Sequence, residues 1–309
     1  MTTNDDHSRV LIISPVRNEA EHIALLARSM MAQTRPPHLW VVIDDGSTDG
    51  TLEVLQELSA QIPFMRLMST PSGHTVDSGD RHAVAAAPRA FNCALGTVTA
   101  DGFTHIGKLD GDIELPEDYF ESLLGEFDQD ATLGIGGGVI VEPVGVTWRM
   151  MHTAPGHVRG ALKLYRRECF VAIGGIRECL GWDGIDETYA RMRGYKTASF
   201  DYIVARHHRV LGSADGVLRA RARGGQTHYI IGFSLPWILL KAFKQAMLPP
   251  YGVSGAAFVF GYLRARWRSV PRIEDTEYLR FARQAERRRL VGAALNRRRA
   301  RTAFFLHTQ

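Results

Sequence analysis

The stretch VLIISPVRNEAEHIALLARSMMAQTRPPHLWVVIDDGSTDGT, residues 10–51, decides the fold. Two short apolar runs, VLIIS (10–14) and LWVVIDD (39–45), flank EAEHIALLARSMMAQ (19–33), in which Ile23, Leu26 and Met30 share one helical face. Short apolar runs bounded by polar loops read as buried strands, and the three-to-four spacing reads as an amphipathic helix. Working outward, TDGTLEVLQELSAQ predicts another helix, FMRLMST (64–70) a third strand and the run FTHI a fourth. A helix over 116–127 and a strand at GIGGGVIVEP (134–143) follow. Strands alternating with helices predict an α/β fold, a mixed and mainly parallel sheet flanked by helices.

The chain has 309 residues, 45% hydrophobic and 23% charged, which excludes disordered and fibrous classes. Cys93, Cys169 and Cys179 are sparse and odd in number, so neither a disulfide frame nor a zinc site is expected and each reads as a small buried hydrophobe. The start, MTTNDDHSR, lacks the basic opening of a signal peptide, and the expectation is a cytoplasmic protein.

Open sheets bind ligands at the carboxyl ends of their strands, so the loops SPVRNE, DDGSTDG and DGD are the places to seek chemistry. Asp44 and Asp45, ending a strand, can accept hydrogen bonds from a base N–H and ribose hydroxyls. In Asp110-Gly111-Asp112 the two carboxylates fall on one side of an extended chain, with Gly111 leaving room for phosphates. Such a pair suits a hard divalent ion, Mg²⁺ or Mn²⁺. The same pattern at Asp128-Gln129-Asp130 follows a helix and belongs at the opposite end of the sheet. SGHTVDSGDRHAVAAAP (72–88) reads as irregular and RAFNCALG as a helix, while the glycines of GIGGG read either as close ligand approach or as a bend.

Taken in order, PVRNE at 15–19, VVIDDGSTDGT at 41–51, KLDGD at 108–112 and GWDGIDE at 181–187 resemble the family 2 glycosyltransferases, over about residues 9–210. The resemblance implies a GT-A (Rossmann-like) nucleotide-sugar-binding fold and an inverting transfer. It places Pro15, Arg17, Asn18, Glu19, Asp44, Asp45, Asp110 and Gly111 at the nucleotide sugar, and Arg89 and Asn92 on a short helix beside it. Asp112 becomes the direct metal contact with Asp110 nearer the ribose, and His207 or His208 a further metal or diphosphate contact, with His208 favoured; Arg209 would neutralise a phosphate. GWDGIDE is similar to the family's G-W-x-x-E-D segment, which carries the catalytic base at the start of a helix. Asp186 takes the aspartate position, but Ile185 replaces the usual acid before it, which leaves Asp183 and Glu187 as rivals.

The partners implied are a nucleoside-diphosphate sugar donor and a glycan or lipid-linked acceptor. A sugar-1-phosphate nucleotidyltransferase would open with a G-G-x-G-T loop, which SPVRNEAE is not. A catalytically inactive nucleotide-sugar-binding scaffold is the remaining alternative, against which the intact DGD and acid-rich GWDGIDE speak.

The reading divides the chain into a catalytic domain at 1–215 and a helical, apolar then basic extension at 216–309. YIIGFSLPWILLKAFKQAMLPP and YGVSGAAFVFGYL are interrupted by Pro or Gly and fall short of the ~20 apolar residues that span a bilayer. With Lys241, Lys244, Arg264, Arg266 and Arg268 on the wet side, they predict a helical pair that either lies on an anionic membrane surface, the inner face of the cell membrane, or packs on the catalytic domain. The arginines carry no zinc-finger or RNA-binding signature, so nucleic acid is not an expected partner.

Overall fold

The computed structural model describes residues 8–71, 85–151, 153–209 and 216–288. Most of the irregular segment expected at 72–88 and the basic end beyond residue 288 lie outside the described residues. The chain divides into two compact units, Met1–Ser213 and Ala214–Gln309.

In the first unit β1 (Val10–Val16) is buried at every position, as befits a strand covered on both faces. β2 (Leu39–Asp44) pairs parallel on one side, followed by β3 (Met65–Ser69), and β4 (His105–Leu109) pairs parallel on the other. The connecting helices are α1 (Ile23–Met31), α2 (Thr51–Gln61) and α3 (Ala86–Leu95). The expected helical face of Ile23, Leu26 and Met30 is fully buried, packing in one core with Trp40, Phe120, Leu123 and Phe127.

Beyond β4 the sheet becomes mixed. β8 (Leu162–Arg166) runs antiparallel between β4 and β6 (Leu133–Val144). β9 (Lys196–His207) lies parallel to β6, and β5 (Ile113–Glu114) pairs antiparallel with β9. β7 (Thr147–Met150) folds back on β6 as a hairpin. The order is β3-β2-β1-β4-β8-β6-β9-β5. Helices α4 (Tyr119–Gln129), α5 (Arg167–Ala172) and α6 (Trp182–Met192) complete the unit.

Three local expectations are corrected. α1 starts at Ile23 rather than at residue 19, because Asn18 adopts a left-handed φ of 55° and the main-chain N–H groups of Glu19 and Ala20 are taken by Thr51 and Asp49. Of the two readings of GIGGG, ligand approach gives way to protein, since a Cβ on Gly137 would stand 2.5 Å from the Leu162 carbonyl oxygen and one on Gly138 would strike that of Ile203; the bend is present, as a shift of register between Gly138 and Val139. The fourth helix runs to Gln129, later than expected, so Asp128 lies within α4 and Asp130 ends it, accepting from Lys196 and Thr132. That leaves the second D-x-D motif before β6, at the end of the sheet opposite Asp110, as its pattern implied.

The second unit contains α7 (Val217–Ile230), α8 (Leu235–Ala246), α9 (Val253–Trp267) and a further helix over 276–288. On α8, Leu235, Leu239 and Phe243 recur every four residues, continued by Met247 just past its end, and all four are exposed, Phe243 by 67%. Val253, Phe260, Leu263 and Trp267 of α9 are exposed as well. Among the described residues no helix is long and apolar enough to cross a membrane.

His105, at the start of β4, is buried with its ring edge-on to Phe127 at 4.8 Å. Burial, aided by Arg166 and Arg35, pushes its pKa down to about 4. The folded state resists the proton that the unfolded chain accepts near the ordinary histidine value of about 6.5, so this contribution is intact above that value and lost as pH falls towards 4. Urea unfolding at pH 7 and pH 4.5 should show His105→Leu losing less stability on acidification than the wild type, by up to about 3 kcal/mol. Equal losses would contradict the buried neutral ring.

Candidate active site

The loops after β1 and β2 are laced together before any ligand is considered. Arg17 donates to the Asp45 carbonyl at 3.1 Å, Asn18 N–H donates to Ser47 Oγ at 3.0 Å, and Asn18 Oδ1 accepts from Thr48 N–H at 2.9 Å. Pro15, within β1, donates no amide hydrogen. Asp44 is buried and accepts the Ser47 N–H at 3.2 Å; Asp45, also buried, accepts the Thr70 hydroxyl at 3.0 Å. Both carboxylates stand at the carboxyl end of β2, where a nucleotide would be read.

The DGD loop lies against the first of these loops. A Cβ on Gly111 would sit 2.9 Å from Val16 Cγ1 and 3.1 Å from Glu19 Cγ. The space expected for phosphate is therefore occupied on this side by the chain itself, and the glycine is required for loop-to-loop contact. Glu19 is buried, and burial together with the Asp112 charge pushes its pKa up to about 8, although Arg209 reaches it at 2.9 Å.

Asp110 and Asp112 have different partners. Lys108, buried in β4, pairs with the Asp110 carboxylate and donates to the Gly160 carbonyl at 2.9 Å, while Asp110 N–H donates to the Ala161 carbonyl at 2.9 Å. Asp112 is buried 3.2 Å from His207 Nε2, with Arg209 Nε at 3.9 Å. Burial alone would raise the Asp112 pKa; the His207 contact overcomes it and holds the carboxyl below its usual range. The other ring nitrogen of His207 faces buried Glu142 at 3.4 Å.

His208, favoured from sequence, is placed elsewhere. Successive residues at a strand's end point to opposite faces, so its ring meets Glu114 at 2.8 Å and only its main-chain N–H reaches Asp112, at the carbonyl, 3.0 Å away. His207 occupies the position beside the carboxylate. Asp112 and His207 together offer one oxygen and one nitrogen. Among the described residues no group of three or more His, Cys, Asp or Glu could hold an ion unaided. A carboxylate and an imidazole would suit a divalent ion such as Mn²⁺ that also takes oxygens from substrate phosphates, so the donor set fits.

The three acids of GWDGIDE separate by burial. Asp186 is fully enclosed, both oxygens 2.9 Å from Lys163 Nζ and one 2.5 Å from the Tyr165 hydroxyl. Glu187 is equally buried, 3.2 Å from Lys163 and bonded to the Val158 N–H at 2.7 Å and to His157. One lysine faces two carboxylates, so Asp186 is pushed up by burial despite Lys163, whereas Glu187, with His157 also beside it, is held down against burial. Asp183, in the first turn of α6, is half-buried. Its Cβ lies beside Gly160, the residue whose carbonyl receives Lys108.

Arg89 and Asn92 do not join the DDGS loop. Asn92 donates to the Ile176 carbonyl at 2.9 Å and to Glu178 at 3.2 Å, and Arg89 approaches Glu178 at 4.0 Å, so both tether the segment leading into α6. Sequence reasoning passed over Lys163 and Tyr165. Their signal was the alternation in LKLY, which puts a lysine and a tyrosine together on one face of an apolar strand.

Comparison with known proteins bears on the family and the fold. The family model for Glycosyl transferase family 2 matches residues 11–179. The chain is 35% identical over 133 residues to "Hyaluronan synthase" of Pasteurella multocida, 42% of this chain but 12% of that protein. It is 30% identical over 191 residues to "Succinoglycan biosynthesis protein ExoA" of Rhizobium meliloti (strain 1021), covering 54% of this chain and 53% of the other. The chain thus spans about an eighth and about half of these relatives. The mannosyltransferase PcManGT from Pyrobaculum calidifontis, solved with GDP-Man and Mn²⁺, superposes with a TM-score of 0.57 at 18% identity, over 84% of this chain and 87% of that one. That likeness establishes the fold.

Lys163→Met should leave two buried carboxylates facing no lysine and cost about 3–5 kcal/mol, read as a lowered urea midpoint at pH 7. Adding Asp186→Asn should recover part of the loss. An unchanged midpoint in the single variant would show that the acids are not ionised in the fold.

Proposed function

We propose, for a chain that belongs to glycosyl transferase family 2, that its first unit transfers a sugar with inversion from a nucleoside-diphosphate sugar to an acceptor hydroxyl. The observation that carries the reading is one loop with two acids against it. Gly160-Ala161 receives Lys108 and the Asp110 amide on one side and packs beside Asp183 on the other. That shared loop supports separate tasks for the two acids, Asp110 on the donor side and Asp183 as base.

Asp183 is the base we favour over Asp186. A general base must reach the acceptor hydroxyl; Asp186 spends both oxygens on Lys163 and Tyr165 inside the protein, whereas Asp183 is half-buried at a helix start. Asp183 would take the hydroxyl proton as the oxygen attacks the anomeric carbon and the nucleoside diphosphate leaves. Asp112 and His207 would hold Mg²⁺ or Mn²⁺, with His207 giving up its ring proton to do so. When bound, the ion supplies charge neutralisation at the departing diphosphate. Arg17, Asn18, Asp44 and Asp45 are assigned to the base and ribose, and Glu19 and Arg209 to the wall behind the DGD loop.

Similarity to proteins named for hyaluronan and succinoglycan supports a polysaccharide or lipid-linked glycan as acceptor. The second unit supports a membrane setting. Between Gly216 and Ile273 it carries nine Lys or Arg and no Asp or Glu, and the exposed apolar stripe of α8 ends beside exposed Lys244. Apolar stripes bordered by cations suit the interface of an anionic bilayer.

Asp183→Asn should lower turnover by about 10²–10⁴-fold while leaving the thermal shift given by UDP, GDP or dTDP with Mn²⁺. At a hundred times its dissociation constant a nucleotide adds about 2.7 kcal/mol. Turnover within a few-fold of wild type would return the base role to Asp186 or Glu187, and no shift with any nucleotide, or no turnover in the wild type, would favour the scaffold reading. Separately, the protein should float with phosphatidylglycerol-containing vesicles at low salt, and Leu239→Glu/Phe243→Glu should stay behind; a wild-type chain that never floats refutes the membrane surface.

A further inference from the structure

Trp148, on β7, is 40% exposed, although tryptophan ordinarily buries most of its large apolar surface. Its ring is nevertheless fixed from two directions. The Arg206 guanidinium lies over it, 5.5 Å from the ring centroid, and the His208 ring meets it nearly perpendicular at 5.3 Å. Glu114 ties these two supports together, 3.5 Å from Arg206 and 2.8 Å from His208. Three strands, β5, β7 and β9, thus converge on one exposed ring that costs little ordering entropy to use.

The position is close to the chemistry. Arg206 and His208 flank His207, whose ring stands 3.2 Å from the Asp112 carboxylate, and the main-chain N–H of His208 bonds to Asp112 at 3.0 Å. In the sheet order β6, β9 and β5 lie across β4 from β1 and β2, but the residues just past β9 reach the loop after β1, where Arg209 meets Asn18 and Glu19 and the His208 ring centroid stands 6.1 Å from that of His22. Trp148 itself makes its ring contacts with Arg206 and His208. Companions on the same hairpin, Val144, Val146 and Met150, are exposed too. An apolar ring beside a carboxylate and a guanidinium is the mixture that a pyranose presents in reverse: C–H groups on one face, hydroxyls around the edge.

We propose that Trp148 is the platform for the acceptor sugar ring, with Glu114 and Arg206 placed to bond its hydroxyls. The inference rests on the transferase reading above and adds a specificity-determining residue on the acceptor side. Trp148 touches neither the base nor the metal pair, so its loss should weaken acceptor binding and leave nucleotide binding alone.

Saturation-transfer NMR on the full chain with diamagnetic Mg²⁺ tests this, using methyl β-glucoside, methyl β-galactoside and methyl N-acetyl-β-glucosaminide as probes. At least one should receive saturation at its ring C–H protons. Trp148→Ala should weaken that contact by about fivefold or more, the worth of one aromatic contact, and Trp148→Phe should retain most of it. The nucleoside-diphosphate thermal shift, measured on the same samples, should be equal in all three proteins and thereby report that the hairpin variants are folded. A glycoside signal as strong in Trp148→Ala as in the wild type, or no signal from any probe while the nucleotide shift persists, overturns the platform and leaves the donor reading standing. Loss of the nucleotide shift in the wild type itself would instead strike the transferase reading on which the platform depends.

Discussion

The buried ammonium of Lys163 is the interaction on which the rest of the site depends. β8 runs antiparallel beside β4 and sets Lys163 directly opposite Lys108, two cations side by side on neighbouring strands. Such a pair is unfavourable alone. It is tolerated because each lysine has its own acidic partner: Lys108 has Asp110, and Lys163 has Asp186 and Glu187. The ring of Trp182, the first residue of α6, lies with its centroid 5.4 Å from both ammonium groups and adds a cation–π contact to each. The start of α6 is thereby fixed relative to the DGD loop, and the same Lys163 ammonium donates to the main-chain carbonyl of Asp183.

The loops after β1 and β2 are held differently, by hydrogen bonds between them, of which those to Asp49 and from Arg17 are charge-assisted. Asn18 in its left-handed conformation exchanges bonds with Ser47 and Thr48, and Asp49 receives the Ala20 and Thr51 amides. Groups satisfied locally leave fewer donors and acceptors to be reorganised when a nucleotide arrives, which is how a binding site becomes preorganised. The two halves meet at Gly111, where a side chain would collide with Val16 and Glu19. A glycine that looked like room for a ligand is a contact between loops.

How much was legible depended on the range of the interaction. The parallel half of the sheet was readable from VLIIS, LWVVIDD and FMRLMST because each strand announces its burial in its own apolar run. The rejection of Asp128-Gln129-Asp130 was readable for the same reason, since only helix and strand order were needed. β8 was passed over: its five residues include Lys163 and Arg166, and their charges interrupt the apolar signal. The choice between His207 and His208 turned on strand phase, which a one-residue shift reverses. Gly137 and Gly138 could not be interpreted without knowing that carbonyl oxygens of Leu162 and Ile203 occupy the space beside them.

By itself, then, the sequence determined the α/β alternation, the helical face of Ile23, Leu26 and Met30, and the placing of Asp44, Asp45, Asp110 and Asp112 at or just past strand ends. Those features follow from hydrophobic periodicity and turn chemistry, which act over a few residues. Only the tertiary structure decided which acid of GWDGIDE is enclosed, which histidine meets Asp112, and what Lys108 and Lys163 neutralise. Lys163 meets Asp186 and His207 meets Asp112 across 23 and 95 positions of the chain, whereas Lys108 and Asp110 are near neighbours in sequence whose pairing is closed by the distant Gly160 carbonyl. Burial and charge pairing at such separations are set by the antiparallel insertion of β8 and the close of β9 on β6, and no local pattern encodes them.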